Sequence, residues 1–561
     1  MNNPISIATN NRHGTIKALF LILLITFPLF FFNLGGIGLT DRDEGSFSEA
    51  TREMVETGDW LTPHFNYNNR FDKPVLIYYI MALSYRIFGI NEFGARFHSA
   101  FFGTLLIFLV FFFVKSLKGV RTALLSSLIL ASNLAIVTLS RVAITDMVLV
   151  FLITAALFSF YRALWVNRKW SWGFYIFSAL AFLIKGPVGV IVPILVIIAY
   201  LISLKGKIGL RGFHPFAGTF LFLLISAPWF LAMLLLHGST YIEAARYHTL
   251  TRYSSVIGGH GGVILYYLPV VMVGFFPWSA FLPASIYYSL KENWKMRGGG
   301  GGPSMIIYMV FWIAVVFLFF TSSRTKLPHY IGPLFPPMAI MVADIFDRYL
   351  FGDAASGFIS ERWMKLSLGF LGFFGLIFSS ALATSGILSY KIEDLIRKEI
   401  PSLTGFDLGS GPFLIAALFF AGTFSSIYFF IKGSKRMAIG VSVTMIVLIV
   451  ISIMLTIVPE MDDLFLAPQR ELAAFAGSQI KEGERFIVFG FFRPSLVFYS
   501  RQKVIFLGKE NVEELRKELS NPGNVFVLCM ESSKELLRGE KNLSIIKSRQ
   551  GYLLLAKDIN G

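Results

Sequence analysis

Apolar residues run on along most of this chain rather than alternating with polar ones. Stretches near the ~20 apolar residues that cross a bilayer as a helix recur at 18–34, 97–114, 122–140, 147–164, 170–184, 187–204, 215–236, 263–290, 304–321, 331–347, 365–387, 412–431 and 437–458. They predict an all-α polytopic membrane domain over residues 1–458, with roughly thirteen transmembrane helices. Leu19–Leu34 follows Arg12 and Lys17 and lacks a convincing small-x-small cleavage site, so it reads as a retained first span. Residues 459–561 change pattern. Strand-like runs Arg485–Phe491, Val504–Leu507 and Asn524–Met530 alternate with helix-like Pro494–Ser500, Val512–Leu519 and Ser532–Leu537. A hairpin-like pair, Leu543–Ser548 and Tyr552–Ala556, closes a small α/β domain.

The chain is 55% hydrophobic and only 15% charged, which excludes an ordinary soluble protein. The net charge of +16 gathers in alternate connections, such as Lys115/Lys118/Arg121, Lys205/Lys207/Arg211 and Lys432/Lys435/Arg436. By the positive-inside rule these connections and the N-terminus are cytoplasmic. Attraction to anionic lipid is compatible with the same charge. Charges scattered between spans give no continuous track for nucleic acid. The first loop (35–96), the segment 237–262 and the C-terminal domain then share the outer side. That side nevertheless keeps Arg42, Arg52, Arg70, Lys73, Arg141, Lys185, Arg246, Arg252, Arg324 and Lys326, a cost to topology that anionic substrate groups would explain. The single cysteine, Cys529, excludes an intramolecular disulfide and a cysteine metal cluster. Gly298–Gly302 before Pro303 lacks the Lys-Ser/Thr of a phosphate loop and reads as a flexible connection.

The first outer loop concentrates the polar chemistry. It opens Asp41-Arg42-Asp43-Glu44-Gly45 and ends Phe71-Asp72-Lys73-Pro74. Carboxylates beside a bilayer are costly and are rarely kept without a use. Ser46-Phe47-Ser48-Glu49 has the form of a capping box, opening a helix with Phe47, Ala50, Met54 and Val55 on one face and Gly58 as its stop. Such an amphipathic helix is expected to lie in the membrane interface, with a second from Pro74 to Phe88. Asp43 suits both a helix cap and a chemical role. Lys73 suits both snorkelling to headgroups and ligand binding, and Lys185 both a snorkelling span end and the same use. Asp146 suits a local ion pair with Arg141 or an active-site position. His248 suits a surface histidine bonded to a neighbour or a metal ligand.

Asp43-Glu44-Gly45-Ser46-Phe47-Ser48-Glu49-Ala50-Thr51-Arg52-Glu53-Met54, Gly58-Asp59-Trp60 and Phe71-Asp72-Lys73-Pro74 together resemble the first periplasmic loop of the bacterial lipid A aminoarabinose transferases. More distantly they are similar to the protein O-mannosyltransferases. Leu183–Pro187, Tyr247–Tyr253 and Lys326–Pro337 extend the resemblance over roughly residues 15–350. It implies a GT-C glycosyltransferase of the bacterial inner membrane that takes sugar from a polyprenyl-phosphate carrier, with a periplasmic C-terminal domain. The implied acceptor is a lipid or a protein. Asp43 matches the family's catalytic aspartate and Asp146 its second acidic position. Lys73, Arg252 and Tyr330 match donor-phosphate contacts, with Lys185 and Lys326 in reserve and Glu44 as a further carboxylate of the substrate loop. Asp72 and His248 stand near where the family holds a divalent metal (Zn, Mg or Mn), although the expected residue at 72 is glutamate.

The implied reaction wants these residue types. Displacing a polyprenyl phosphate puts growing negative charge on the leaving group, which fixed cations in a water-poor site stabilise. A hydroxyl acceptor must lose a proton to a carboxylate within reach, worth typically about 10²–10⁴-fold. An acceptor already anionic would need Asp43 only to orient it or the sugar. Direct attack predicts inversion at the anomeric carbon. Two readings compete: a lipid flippase or transporter, against which stand the absence of a clear repeat and ionisable residues gathered at span ends, and a scaffold whose α/β domain binds a partner.

Overall fold

The computed structural model describes residues 12–40, 42–204, 212–296, 305–351, 360–389, 391, 408–537 and 543–557. Asp41, the glycine run 298–302 with Pro303, and the Lys205/Lys207/Arg211 cluster lie outside the described residues. Among those described, eight helices are long and apolar enough to cross a membrane, or nine if the pair Ile264–Gly274 and Trp278–Lys291, bent by 112°, counts as one span. The other predicted spans are shorter helices: Val120–Ala131 (12 residues), Ser171–Lys185 (15), Val188–Ser203 (16) and Phe335–Phe351 (17). At about 1.5 Å per residue, twelve residues cover only part of a bilayer core. The stretch 122–140, expected as one span, breaks because Asn133 accepts from Ile136 N–H and starts a new helix, Leu134–Leu139. Asp146–Trp165 is the most enclosed of the candidate spans, with 89% of its apolar window buried. It places Asp146, at its first residue, inside the protein.

The first loop folds as helix Asp43–Thr57, a small antiparallel hairpin of β1 (His64–Phe65) and β2 (Asn68–Asn69), and helix Leu76–Phe88. The capping box does not form. The helix starts at Asp43 after Arg42 in a left-handed conformation (φ 68°), with no side-chain cap, so Asp43 is not a cap either. Glu49 instead takes a bidentate grip from Arg52, Nε and Nη2 both at 2.7 Å. A guanidinium outcompetes a single amide for that carboxylate. This pairing also takes the helix's polar face out of water. Glu49, Arg52 and Glu53 are all buried, and the helix is enclosed beside Leu76–Phe88 and the C-terminal helix Ser495–Ser500. Gly58 does close it, in the left-handed region at φ 72°.

No linker separates the two domains at 458/459. The last span and the first helix of the C-terminal domain form one helical run, Lys435–Gln479. The domain's sheet follows the predicted strands closely: β3 (Arg485–Phe489), β4 (Val504–Leu507), β5 (Val525–Met530), β6 (Leu543–Arg549) and β7 (Tyr552–Lys557), in the order β4-β3-β5-β7-β6. The first three are parallel; β7 runs antiparallel to β5 and β6. Alternation builds two cores. Phe486, Val488, Phe526 and Leu528 fill one face, while Ile487, Phe489, Val527 and the inert Cys529 fill the other.

Candidate active site

A cavity of about 1050 Å³ opens where the first loop meets the membrane helices. Its polar lining brings together Asp43, Asp72, Lys73, Asp146 and Lys185 with Arg246, His248, Arg252, His329 and Tyr330. Its remaining wall is apolar, with Phe182, Ile191, Phe222, Leu223, Phe230 and Leu234 along the helices 171–203 and 215–246.

The charges at the polar end are arranged unevenly. Asp146 accepts from Lys185 Nζ at 2.6 Å and from the Thr145 hydroxyl at 3.2 Å, with His329 Nε2 at 4.0 Å. Arg141, the partner that sequence proximity suggested, turns away and donates to the Leu29 and Phe32 carbonyls. Lys185 also lies 4.9 Å from the centre of the Tyr330 ring, and Arg252 Nε donates to the Tyr330 hydroxyl at 2.8 Å. Tyr330 therefore gathers two cations. Asp72 accepts from Arg70 at 2.6 Å and lies 4.0 Å from Lys73 Nζ. Burial raises the Asp72 carboxyl, but Arg70, Lys73 and His248 outweigh it and hold it at about 2. Burial depresses Lys73. Asp72 pulls it back in part, Lys185, Arg252 and Arg70 push it down again, and it stands at about 8. Lys73 is buried toward the cavity rather than extended to headgroups, its side chain only 13% exposed. Asp43 differs from every other carboxylate here. It is exposed, lines the cavity, and makes no hydrogen bond or ion pair among the described residues.

Two predicted site residues are employed elsewhere. Glu44 does not line the cavity. It is clamped by Arg96 at 2.7 and 2.8 Å and accepts from Thr40 and Ala143 N–H. Burial would raise its carboxyl, yet Arg96 and these donors pull it below the usual range. Lys326 is buried and donates to the Thr321 and Ser323 carbonyls, so its charge serves the turn that carries it. Conversely, His329 and Thr145 join the site unforeseen, and Arg246, noted only as an outer-side cation, joins it too. His329 and Arg246 lay inside the quoted motifs or beside them, while Thr145 carried no signal of its own.

The metal expectation meets a donor set that does not fit. Among the described residues no three His, Cys, Asp or Glu side chains come together to hold an ion. Asp72 already accepts from Arg70 and from the Tyr78 hydroxyl, and the Lys73 and Arg252 charges act on His248. Cations in that shell oppose a further cation.

Comparison with known proteins bears on the family and the fold. Residues 72–231 match the family described as dolichyl-phosphate-mannose-protein mannosyltransferase. An undecaprenyl phosphate-alpha-4-amino-4-deoxy-L-arabinose arabinosyl transferase of Aeromonas hydrophila is 30% identical over 410 residues, 70% of each chain. The chain belongs to the ArnT-like family of GT-C glycosyltransferases. An uncharacterized protein of Aquifex aeolicus is 31% identical over 336 residues, covering 59% of this chain and 64% of that one. The chain thus spans about two thirds of the length of these two relatives. Crystalline ArnT from Cupriavidus metallidurans bound to undecaprenyl phosphate shares the fold, with a TM-score of 0.79 at 20% identity over 97% of this chain and 98% of that one. The archaeal oligosaccharyltransferase AglB from Archaeoglobus fulgidus is a remoter fold relative, with a TM-score of 0.55 at 11% identity, over 94% of this chain and 70% of that one.

Proposed function

We propose that this protein transfers a sugar, with inversion, from undecaprenyl phosphate to an acceptor at the outer face of a bacterial inner membrane. Its N-terminus is then cytoplasmic and its C-terminal domain periplasmic. The observation that carries the reading is the unpaired Asp43 carboxylate facing a cluster of cations at the end of an apolar cavity. Lys73, Arg252, Lys185 and the Tyr330 hydroxyl bind the donor phosphate and stabilise the charge that develops on it. The apolar arm takes the first units of the prenyl chain. Asp43 takes the proton of a hydroxyl acceptor or orients an anionic one. Asp146, tied to Lys185, sets that ammonium in place. The ArnT-like relatives support aminoarabinose as the sugar and lipid A as the acceptor.

A second acceptor class, protein serine or threonine, is supported by the mannosyltransferase family match over residues 72–231. The purified full-length protein in proteoliposomes, given undecaprenyl-phosphate-linked aminoarabinose or hexose with lipid A or peptide, separates the two by mass spectrometry. Asp43→Asn is expected to lower transfer by about 10²–10⁴-fold while donor binding persists. Transfer at the wild-type rate by that variant removes Asp43 from the chemistry. Donor movement across the bilayer without covalent transfer would instead indicate a flippase.

A further inference from the structure

The segment that leads into the Asp43 helix is held from outside the membrane domain. Gly38 N–H donates to Asp462 Oδ1 at 2.8 Å, and Leu39 N–H donates to the Tyr499 hydroxyl at 2.7 Å. Both acceptors belong to the C-terminal part of the chain, and both are themselves fixed. Arg470 Nη2 lies 3.0 Å from Asp462 Oδ2, and the Tyr499 hydroxyl donates to Glu92 at 3.0 Å. The approach is close enough to need a glycine. A Cβ at Gly38 would lie 2.8 Å from Arg470 Nη1, 3.2 Å from Asp462 Oδ1 and 3.3 Å from Leu466 Cβ. Further along the loop, Asn66 bonds both ways to Val504 on the edge of β4, each bond 2.8 Å.

From the other side of the same segment, Arg96 takes the carbonyls of Leu34, Ile37 and Gly38 and grips Glu44. Glu44 follows Asp43 directly. Its second carboxylate contact, Ala143 N–H at 2.8 Å, belongs to the turn that carries Asp146. A continuous chain of bonds therefore runs from Asp462 and Tyr499 through Gly38–Leu39, Arg96 and Glu44 to both carboxylate-bearing turns.

We infer that the C-terminal domain sets the geometry of the membrane cavity, with Asp462 and Tyr499 as positioning residues that hold the Asp43 turn against the Asp146 turn. The inference rests on the reading of Asp43 as the acting carboxylate. A shift of about 1 Å in a reacting group costs on the order of 10²-fold in rate, so releasing this clip acts on turnover. Of the groups that hold the donor phosphate, Lys73, Arg252 and Tyr330 make no bond to the clip and Lys185 is reached only through Asp146, so the loss falls on turnover far more than on donor affinity.

The test uses the full-length protein in nanodiscs with two readouts: amide exchange over residues 38–44, and steady-state transfer. Tyr499→Phe, which removes one oxygen, and Asp462→Asn are expected to speed exchange at 38–44 by about fivefold or more. They are expected to lower kcat by about 10²-fold with the donor KM within about twofold. Glu513→Ala, on the exposed helix Val512–Ser520, should change neither. Unchanged exchange in both variants overturns the clip. Faster exchange with unchanged kcat, or a raised donor KM with kcat intact, overturns the positioning role. Should the wild-type protein transfer no sugar while exchange still quickens in the variants, the clip stands and the functional reading of Asp43 is what fails. Should Asp462→Asn fold poorly, Tyr499→Phe alone still decides.

Discussion

Asp43 and Asp146 face one cavity from two turns and are held in opposite ways. Asp146 is 4% exposed and paired with Lys185, whereas Asp43 is exposed and engages no partner among the described residues. Glu44 joins the two turns: it takes both Arg96 and Ala143 N–H, while its neighbour Asp43 stays exposed at the cavity. A buried, paired carboxylate builds a site; an unpaired one is left free to act on what enters it.

The comparison breaks most sharply on stability. Asp146→Asn leaves the Lys185 ammonium buried without its anion, and removing one partner of such a pair costs about 3–5 kcal/mol. Chemical denaturation in detergent is expected to find that loss in Asp146→Asn and almost none in Asp43→Asn. Adding Lys185→Met to Asp146→Asn should restore stability without restoring transfer. Equal destabilisation by the two aspartate variants would erase the distinction between them.

Lys73 sharpens the picture on the donor side. Its ammonium stands at about 8 in the ligand-free protein, below the ~10.4 of an unfolded chain. The charged form is thus disfavoured in the fold: the group lowers stability below pH 8, and that penalty fades as pH rises from about 8 to 10.4. A bound phosphate reverses the balance. At pH 9, binding of undecaprenyl phosphate should take up a proton, visible as a dependence of calorimetric heat on buffer ionisation. Lys73→Gln should abolish the uptake and weaken binding by about 10–100-fold, the worth of a charge-assisted bond.

The smallest effect lies behind Asp43, in its own helix. Glu53 is buried one turn from Glu49, with one oxygen unpartnered and the other accepting from Tyr67 N–H. Burial first, and then Glu49, push its carboxyl up to about 8. A raised carboxylate holds a proton that the unfolded chain gives up at about 4.3. This contribution to stability is therefore complete below pH 4.3 and lost as pH climbs to 8. Glu53→Gln should flatten that slope in thermal melts between pH 5 and 9, and transfer at pH 6 should change little.

Much of this was readable one residue at a time. Runs of apolar residues located the helices, and short strand-like runs with a closing hairpin-like pair located all five strands of the C-terminal sheet. The Phe71–Pro74, Tyr247–Tyr253 and Lys326–Pro337 motifs brought Lys73, Arg252 and Tyr330 to one cavity. Those signals are local: hydropathy, strand alternation and motif spacing each depend on residues a few positions apart. What misled was also local. Ser46–Glu49 had the spelling of a cap, yet Arg52 was the stronger partner for Glu49. Lys326 and Glu44 had the right charge for the site but were claimed by carbonyls and by Arg96.

The residues alone determined that the chain threads a membrane many times, ends in a mixed sheet, and carries acid and base in its first loop. Only the tertiary structure decided which of those charges stayed free, because that depends on partners far away in sequence. Arg96 meets Glu44 across 52 positions, Lys185 meets Asp146 across 39, and Asp462 meets Gly38 across 424. An ion pair or a buried hydrogen bond is worth having only where folding has already removed the water, and no local pattern records where that will be.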